Sequence, residues 1–334
     1  MTLASGIGSW PGTDVREPLR IIRELLGDLE PGSGVTGLPY LPELPARGPG
    51  ADLVGRAAGL LVELPVDLQP AGWRLVDRPG RDARRTSALW REDLDELAEA
   101  FDGYAGPLKV AVAGPWTLAS SVWLPRGERA VVDEGACRDL AESLAEGVRS
   151  LLATVARLVP GADLVLQVDE PSLPAVLDGR LPTASGFGKL RAVDPQAALP
   201  ALQEVVAAAG GRHTVVHCCA PHPPLPLLRR CGAGGISVDT LGLTPRGWEG
   251  LAVAAEEGLR VYPGCVPATG ELPRAAELAD AVGAAWRRIG MPRGGLADLV
   301  VTPTCGLAGS DPAEAVSRQR ACVDVARELA QASA

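Results

Sequence analysis

The stretch "HTVVHC", residues 213–218, is a short apolar run that ends in a histidine and a cysteine. Its β-branched residues follow one another without polar alternation, which is typical of a strand buried on both faces of a parallel sheet. Similar runs occur at 3–9, 33–40, 108–114, 163–169, 234–240, 258–264 and 298–304. Segments with helical periodicity lie between most of them, at 14–27, 133–159, 194–210, 244–258, 271–290 and 311–331.

Eight buried strands that alternate with helices predict a (β/α)8 TIM barrel, with a doubly wound parallel sheet as the structural alternative. The region 41–107 departs from this alternation. Within it, "GLLVELPVDLQPAGW" (59–73) indicates a hairpin, so we expect a hairpin/helix segment inserted between strands 2 and 3. Since no linker-like stretch interrupts the sequence, we expect a single TIM-barrel domain over residues 1–334.

The chain has 334 residues, 46% of them hydrophobic, and a formal net charge of −9. This acidic balance argues against nucleic acid or an anionic membrane as a partner. No run approaches the ~18 apolar residues of a membrane span, and the N-terminus lacks the basic start and apolar core of a signal peptide. We therefore expect a cytoplasmic location, where the seven cysteines are thiols or metal ligands rather than disulfides.

Metal-capable side chains stand where several of the predicted strands end. His217 and Cys219 occupy positions i and i+2, so both side chains share one face of an extended strand, and Cys218 points the other way. Asp239 and Cys305 end two other strands, and catalytic groups of β/α barrels lie at that end. Zinc accepts Cys, His and carboxylate ligands. The set therefore predicts a catalytic metal site with an exchangeable position.

A buried cysteine is often no more than a small hydrophobic residue. We expect that simpler role for the three cysteines on helical patterns, Cys137, Cys231 and Cys322. His222 lies in a proline-rich loop and His213 precedes its strand, so His213 is expected at the opposite end of the barrel.

Carboxylates and bare backbone amides form the second group of candidates. Asp169 and Glu170 end an apolar strand, so one should face the barrel mouth and the other should pair in the wall. An acid at the mouth can hold a substrate ammonium, since a buried carboxylate needs a cationic partner. Glu43, between prolines, is a further candidate for this role. The stretch "SGIGSWPGTD" (5–14) offers amides and the Ser9 hydroxyl, which can hold a carboxylate.

These residues, in this order, resemble the C-terminal catalytic barrel of the cobalamin-independent methionine synthase family. The resemblance rests on an ordered set of short motifs that spans residues 5–310. They are "IGSWP" (7–11), "AGPWTLASSVW" (113–123), "LVLQVDEPSLP" (164–174), "VVHCCAP" (215–221), "ISVDTLG" (236–242) and "VTPTCGLAG" (301–309).

The resemblance implies methyl transfer to the sulfur of homocysteine, forming methionine. It implies a zinc ion with four ligands, His217, Cys219, Asp239 and Cys305. It also implies a homocysteine site made of Ile7, Gly8, Ser9, Glu43 and Asp169. Zinc would make the thiol a thiolate, which is the nucleophilic form.

Two departures from the family pattern concern single residues. The family has glutamate where this chain has Asp239, whose side chain is one methylene shorter. The seventh-strand histidine of the family has no counterpart, and Cys265 lies about there. Cys265 is therefore a catalytic candidate beside Asp169.

A third departure concerns length, since 334 residues leave no room for the second barrel that helps full-length members bind folate. The methyl donor is therefore expected to be either a folate or a methylcorrinoid carried on a partner protein. The alternatives are a zinc thiol-alkyltransferase with a different thiol acceptor and a non-catalytic zinc/thiol binder. The related uroporphyrinogen decarboxylase barrels lack zinc, and the His-Cys and Cys motifs argue against them.

Overall fold

The computed structural model describes residues 1–30, 32 and 34–333. Ser33, where the second predicted strand begins, and Ala334 lie outside the described residues. The strands are β1 (Thr2–Ser5), β2 (Val35–Leu38), β3 (Val66–Gln69), β4 (Gly72–Leu75), β5 (Ala105–Ala113), β6 (Gly161–Asp169), β7 (Thr214–Cys218), β8 (Gly235–Asp239), β9 (Arg260–Val266) and β10 (Val300–Pro303). Each of the eight predicted apolar runs contains or overlaps one of them.

Eight of the strands form one parallel sheet in the order β2-β1-β10-β9-β8-β7-β6-β5. The two end strands approach each other where Tyr40 and Lys109 form a parallel bridge, with the N–H of Leu41 donating to the carbonyl of Lys109 at 3.0 Å. The sheet thereby closes into a barrel. The predicted (β/α)8 fold is confirmed, and a doubly wound open sheet is excluded.

Helices surround the barrel, and several of them begin at capping residues. They are α1 (Arg16–Ile22), α2 (Leu53–Ala58), α3 (Arg81–Ala100), α4 (Pro115–Ala119), α5 (Glu134–Leu158), α6 (Leu173–Leu177), α7 (Pro195–Ala207), α8 (Leu225–Leu228), α9 (Pro245–Glu256), α10 (Ala275–Arg288) and α11 (Pro312–Ser333). The side chains of Asp133, Asp194 and Thr244 each accept an N–H from the first turn of α5, α7 and α9. Among the described residues, no helix is long and apolar enough to cross a membrane.

The insertion between β2 and β5 contains more helix than its sequence indicates. The hairpin is present as the antiparallel strands β3 and β4. Val66 pairs with Leu75 at its open end, and Gln69 pairs with Gly72 at its turn. Two helices, α2 and the 20-residue α3, accompany it. The buried face of α3 includes Thr86 and Asp93 beside Trp90 and Leu97, and the rest of the helix is strongly polar, so few apolar residues mark it in the sequence.

The interior of the barrel changes from apolar to polar along the strands. Its N-terminal end is filled by one cluster, Leu3, Leu38, Val165, Val215, Tyr262 and Val300. Two residues further along, β6 and β7 present Gln167 and His217, both buried. Because side chains alternate across a strand, the next inward residues are Asp169 and Cys219. The polar groups therefore gather towards the C-terminal rim, where barrel enzymes place their active sites.

Candidate metal and substrate site

Three metal-capable side chains meet at the C-terminal rim. The ligand atoms of His217, Cys219 and Cys305 lie within 4.8 Å of one another. The two sulfurs, which are 86 residues apart in the chain, lie 2.8 Å apart. His217 belongs to β7, Cys219 follows that strand directly, and Cys305 follows β10. Distant segments thus converge on one point, as the strand-end argument predicts.

The imidazole of His217 is held in an orientation that suits a metal ligand. Its Nδ1 lies 2.9 Å from the hydroxyl of Ser237, which is its register partner on β8. Its Nε2 is buried and has no hydrogen-bond partner among the described residues. When Nδ1 donates its proton to Ser237, Nε2 presents a lone pair, the arrangement found in metal-binding histidines. Ser237 was not predicted as a site residue.

The donor set fits zinc, which prefers imidazole nitrogen and thiolate sulfur. The hydrogen bond with Cys219 lowers the pKa of the Cys305 thiol well below its ordinary value, and the same bond raises the pKa of Cys219. This contact favours the thiolate form of Cys305, which is the form that binds a metal ion. Two thiolates on a tetrahedral zinc ion lie roughly 3.8 Å apart, since each Zn–S bond is about 2.3 Å. A zinc ion would need the sulfurs to separate by about 1 Å.

Asp239 lies at the end of β8, but the three-residue group does not include it. Its Oδ1 accepts the N–H of Leu241 at 2.9 Å, which turns this oxygen towards its own loop. Burial raises the pKa of Asp239, and the neighbouring Cys305 adds to that effect while His217 opposes it. The structure thus places Asp239 beside the cluster, and its role as the fourth ligand stays a prediction.

Asp169, the last residue of β6, and Glu170, which follows it, point to opposite faces of the sheet, as the alternation of side chains along a strand predicts. Glu170 is fully buried and accepts hydrogen bonds from the N–H groups of Trp116 and Thr117, at 2.9 and 2.8 Å, and from the Thr117 hydroxyl. Burial nevertheless raises its pKa to about 7. Asp169 lies on the other face, inside the barrel, and pairs in register with His217.

Glu43 lies beside Ser9, with which it forms a parallel bridge that extends the pairing of β1 and β2. It is 5% exposed, and its Oε1 has no hydrogen-bond partner among the described residues. The Nε of Arg56, from α2 in the insertion, lies 3.7 Å from this oxygen, while the other end of that guanidinium bonds to Asp93 of α3. Burial raises the pKa of Glu43 to about 7 although Arg56 lowers it.

A lysine and a glutamine beneath the rim were not predicted as site residues. Lys109 of β5 is fully buried, and its ammonium donates to the side chain of Gln167 and to the carbonyls of Gly6 and Ile7. Burial lowers the pKa of Lys109 to about 7, opposed by Asp169 and Glu43. The available signal was a lysine inside an otherwise apolar strand, in a chain with only one other lysine.

The amide-rich segment Ile7–Ser9 lies against the loop that carries Cys305. The carbonyl of Ser9 accepts the N–H of Leu307 at 2.8 Å. A Cβ on Gly306 would lie 1.9 Å from the Ser9 hydroxyl, so only glycine allows this approach. The predicted amino-acid site and the thiol cluster are therefore contiguous.

The remaining predicted residue, Cys265, lies apart from the cluster. It is 2% exposed in β9, and burial raises its pKa to about 12. The nearby charge of Cys265 contributes to the raised pKa of Cys322 on α11, so the two thiols are neighbours in the helix-facing core. A thiol of this kind is a poor proton donor at neutral pH. The catalytic role expected of Cys265 has no support in this geometry.

Cys218 is fully buried on the opposite face of β7, and Cys137 and Cys322 are buried on α5 and α11, as their patterns predict. Cys231 is also buried, but it lies in a bend that follows α8 and not on a helix as predicted. The ring of His213 lies 3.1 Å from the Tyr262 hydroxyl at the N-terminal end of the barrel.

Fold and site together define a β/α-barrel enzyme with a thiol and imidazole cluster beside two buried acids and an amide-rich segment. The chain matches the family described as cobalamin-independent synthase, catalytic domain, over residues 2–328, and it belongs to that family of methyltransferases. A solved B12-independent methionine synthase from Shewanella sp. W3-18-1, in complex with selenomethionine, is similar at a TM-score of 0.51. It is 16% identical, over 76% of this chain and 69% of that chain, which shows the fold alone. No curated protein matches.

Proposed function

We propose that the protein transfers a methyl group to the thiol of homocysteine and so forms methionine, with a zinc ion held by His217, Cys219, Cys305 and Asp239. The convergence of three nitrogen and sulfur donors beside Ser9 carries this proposal. A zinc ion at such a site lowers the pKa of a bound thiol and so supplies the nucleophilic sulfur. Family membership supports the reaction class.

The residues around the cluster bind and orient the amino-acid end of the acceptor. Asp169 and Glu43 are two buried acids that can hold the substrate ammonium. The Ser9 hydroxyl and the amides of Ile7 and Gly8 can hold its carboxylate. Since Ser9 touches Gly306, these contacts direct the acceptor thiol towards Cys305 and its neighbours. Burial of the acids excludes water and strengthens these charge contacts.

We infer that the methyl donor is a methylcorrinoid. The acceptor sulfur forms a bond to the methyl carbon, the carbon–cobalt bond breaks, and its electron pair stays on cobalt, so no proton is needed by the leaving group. A folate nitrogen would instead have to be protonated as it leaves. The burial and raised pKa of Cys265 favour the corrinoid, because this buried thiol is a poor donor of that proton at neutral pH.

Single-turnover assays with purified, zinc-replete protein test the function. Homocysteine is supplied with methylcobalamin in one assay and with methyltetrahydrofolate in the other, and methionine is measured. We expect methionine from methylcobalamin. Methionine formed only with methyltetrahydrofolate would refute the methylcorrinoid as donor but would support methyl transfer to homocysteine. Binding of zinc and homocysteine without methionine from either donor would mark a non-catalytic thiol binder.

A further inference from the structure

Lys109 uses all its donors inside the barrel, beneath the segment assigned to the substrate carboxylate. Its Nζ lies 3.2 Å from the carbonyl oxygen of Ile7 and makes shorter contacts with the carbonyl of Gly6 and the Oε1 of Gln167. An ammonium has three N–H donors, so each is engaged. Lysines are rarely buried without a charged partner in contact, and here two of the three acceptors are backbone carbonyls.

These two contacts fix the direction of two N–H groups. In a trans peptide the C=O and the N–H of the same plane point in opposite directions, and the described residues contain no cis peptide bond. The carbonyl of Gly6 shares its plane with the N–H of Ile7, and the carbonyl of Ile7 with the N–H of Gly8. Because both carbonyls face Lys109, both N–H groups face away from it. Neither donates to an acceptor within the described part of the chain.

Gln167 links the ammonium of Lys109 to the carboxylate of Asp169 through hydrogen bonds. Its Oε1 faces Lys109, so its Nε2 is turned to donate to the Ile7 carbonyl and to the Oδ1 of Asp169, both at 2.8 Å. Tyr40 limits movement on the other side, since a Cβ on Gly6 would lie 2.3 Å from its hydroxyl. The segment therefore has little freedom to adopt another orientation.

We propose that Lys109 is a positioning residue that aims the N–H groups of Ile7 and Gly8 at the carboxylate of an amino-acid acceptor. The inference rests on the proposed function and adds to it a specificity for thiols that carry a carboxylate. Two adjacent N–H groups of one backbone segment form a concave anion site. The ammonium does not touch the substrate; it acts through the peptide planes of Gly6 and Ile7.

The test compares two thiols that differ only in the carboxylate, homocysteine and 3-aminopropane-1-thiol, by calorimetric titration of zinc-replete protein. The unsubstituted protein should prefer homocysteine. Lys109→Met keeps an unbranched side chain only one atom shorter and removes its donors and its charge. In this variant the ratio of the affinity for homocysteine to that for the aminothiol should fall at least about tenfold. This is the loss typical of a hydrogen bond to a charged group. Its affinity for the aminothiol should stay within about twofold.

Two further variants separate positioning from general damage. Gln167→Met removes one donor to the Ile7 carbonyl and should lower the preference in the same direction, which keeps the test open if Lys109→Met does not fold. Arg318→Met removes another buried cation that donates to two backbone carbonyls, those of Pro267 and Gly270 at 2.7 and 2.6 Å. This control should keep the preference.

The outcomes distinguish the inference from the function on which it rests. An equal loss of affinity for both thiols in Lys109→Met, or an unchanged preference, would overturn the positioning role and leave the function standing. No binding of either thiol by the unsubstituted protein would overturn both.

Discussion

Replacing the sulfur of Cys219 or Cys305 by oxygen tests the proposed metal site at the scale of single atoms. A serine hydroxyl is not a thiolate and does not replace one as a zinc ligand. We expect Cys219→Ser and Cys305→Ser to be purified without most of their zinc and to form no methionine. Cys137→Ser, a matched change at a buried thiol on α5, should keep both. The zinc content of the three purified proteins tests this prediction. Stoichiometric zinc in both Cys219→Ser and Cys305→Ser would refute the ligand assignment.

Glu43 predicts a pH dependence of amino-acid binding. With its pKa raised to about 7, Glu43 is mostly neutral at pH 6 and mostly ionised at pH 8. The groups that influence it are Arg56, Asp169, Asp52, Asp93 and Lys109. Methionine serves as the ligand because its thioether carries no proton. If the ionised form holds the ammonium, methionine affinity should rise about tenfold from pH 6 to pH 8.

Glu43→Gln isolates the contribution of this group. The variant should bind methionine weakly at pH 8 and lose its share of the pH dependence, as followed by titration calorimetry. The raised pKa also means that the folded state binds the proton more tightly than the unfolded state. The stabilising effect is therefore present below about pH 4.5 and is lost as the pH rises through about 7. An unchanged pH profile in the variant would show that Glu43 does not bind the ammonium.

At the scale of secondary-structure elements, Glu170 joins the end of β6 to the start of α4. Glu170→Ala leaves two buried N–H groups and the Thr117 hydroxyl without their acceptor, which should cost about 3–5 kcal/mol of unfolding free energy. Urea denaturation of the variant measures this loss. Glu142→Ala, at an exposed position on α5, should change stability little. A small effect of Glu170→Ala would mean that water readily replaces the carboxylate.

The elements most readily predicted from the sequence were the strands, because their residues are apolar on both faces. The helix α3 was the least visible, since Asp93 on its buried face pairs with Arg47 and Arg56 instead of packing as an apolar side chain. Lys109 and Gln167 were missed for a related reason. Each interrupts an apolar strand by one residue, and only the register of β5, β6 and the Gly6–Ile7 segment brings them together.

For the whole molecule, the rim and the core are separate, so metal removal should not unfold the protein. The apolar cluster inside the barrel lies at the N-terminal end, and the larger core lies between strands and helices. Neither includes Cys219 or Cys305. A chelated sample should keep its far-UV circular dichroism and unfold cooperatively. Its free energy of unfolding should fall only by the contribution of metal binding, and its melting temperature should fall accordingly. That contribution is about 1.4 kcal/mol for each tenfold excess of metal over its dissociation constant.

Chelation should also leave the two rim sulfurs free to react with each other. They lie 2.8 Å apart, so a mild oxidant such as diamide can join them with little backbone movement. The other five thiols are buried. A thiol count on the denatured, oxidised protein should therefore fall by two from the seven of the chain, and the Cys305→Ser variant should lose none to an intramolecular bond. Retention of all seven thiols in the chelated, oxidised protein would show that the two sulfurs do not come into contact in solution. That result would refute the metal site shared by Cys219 and Cys305.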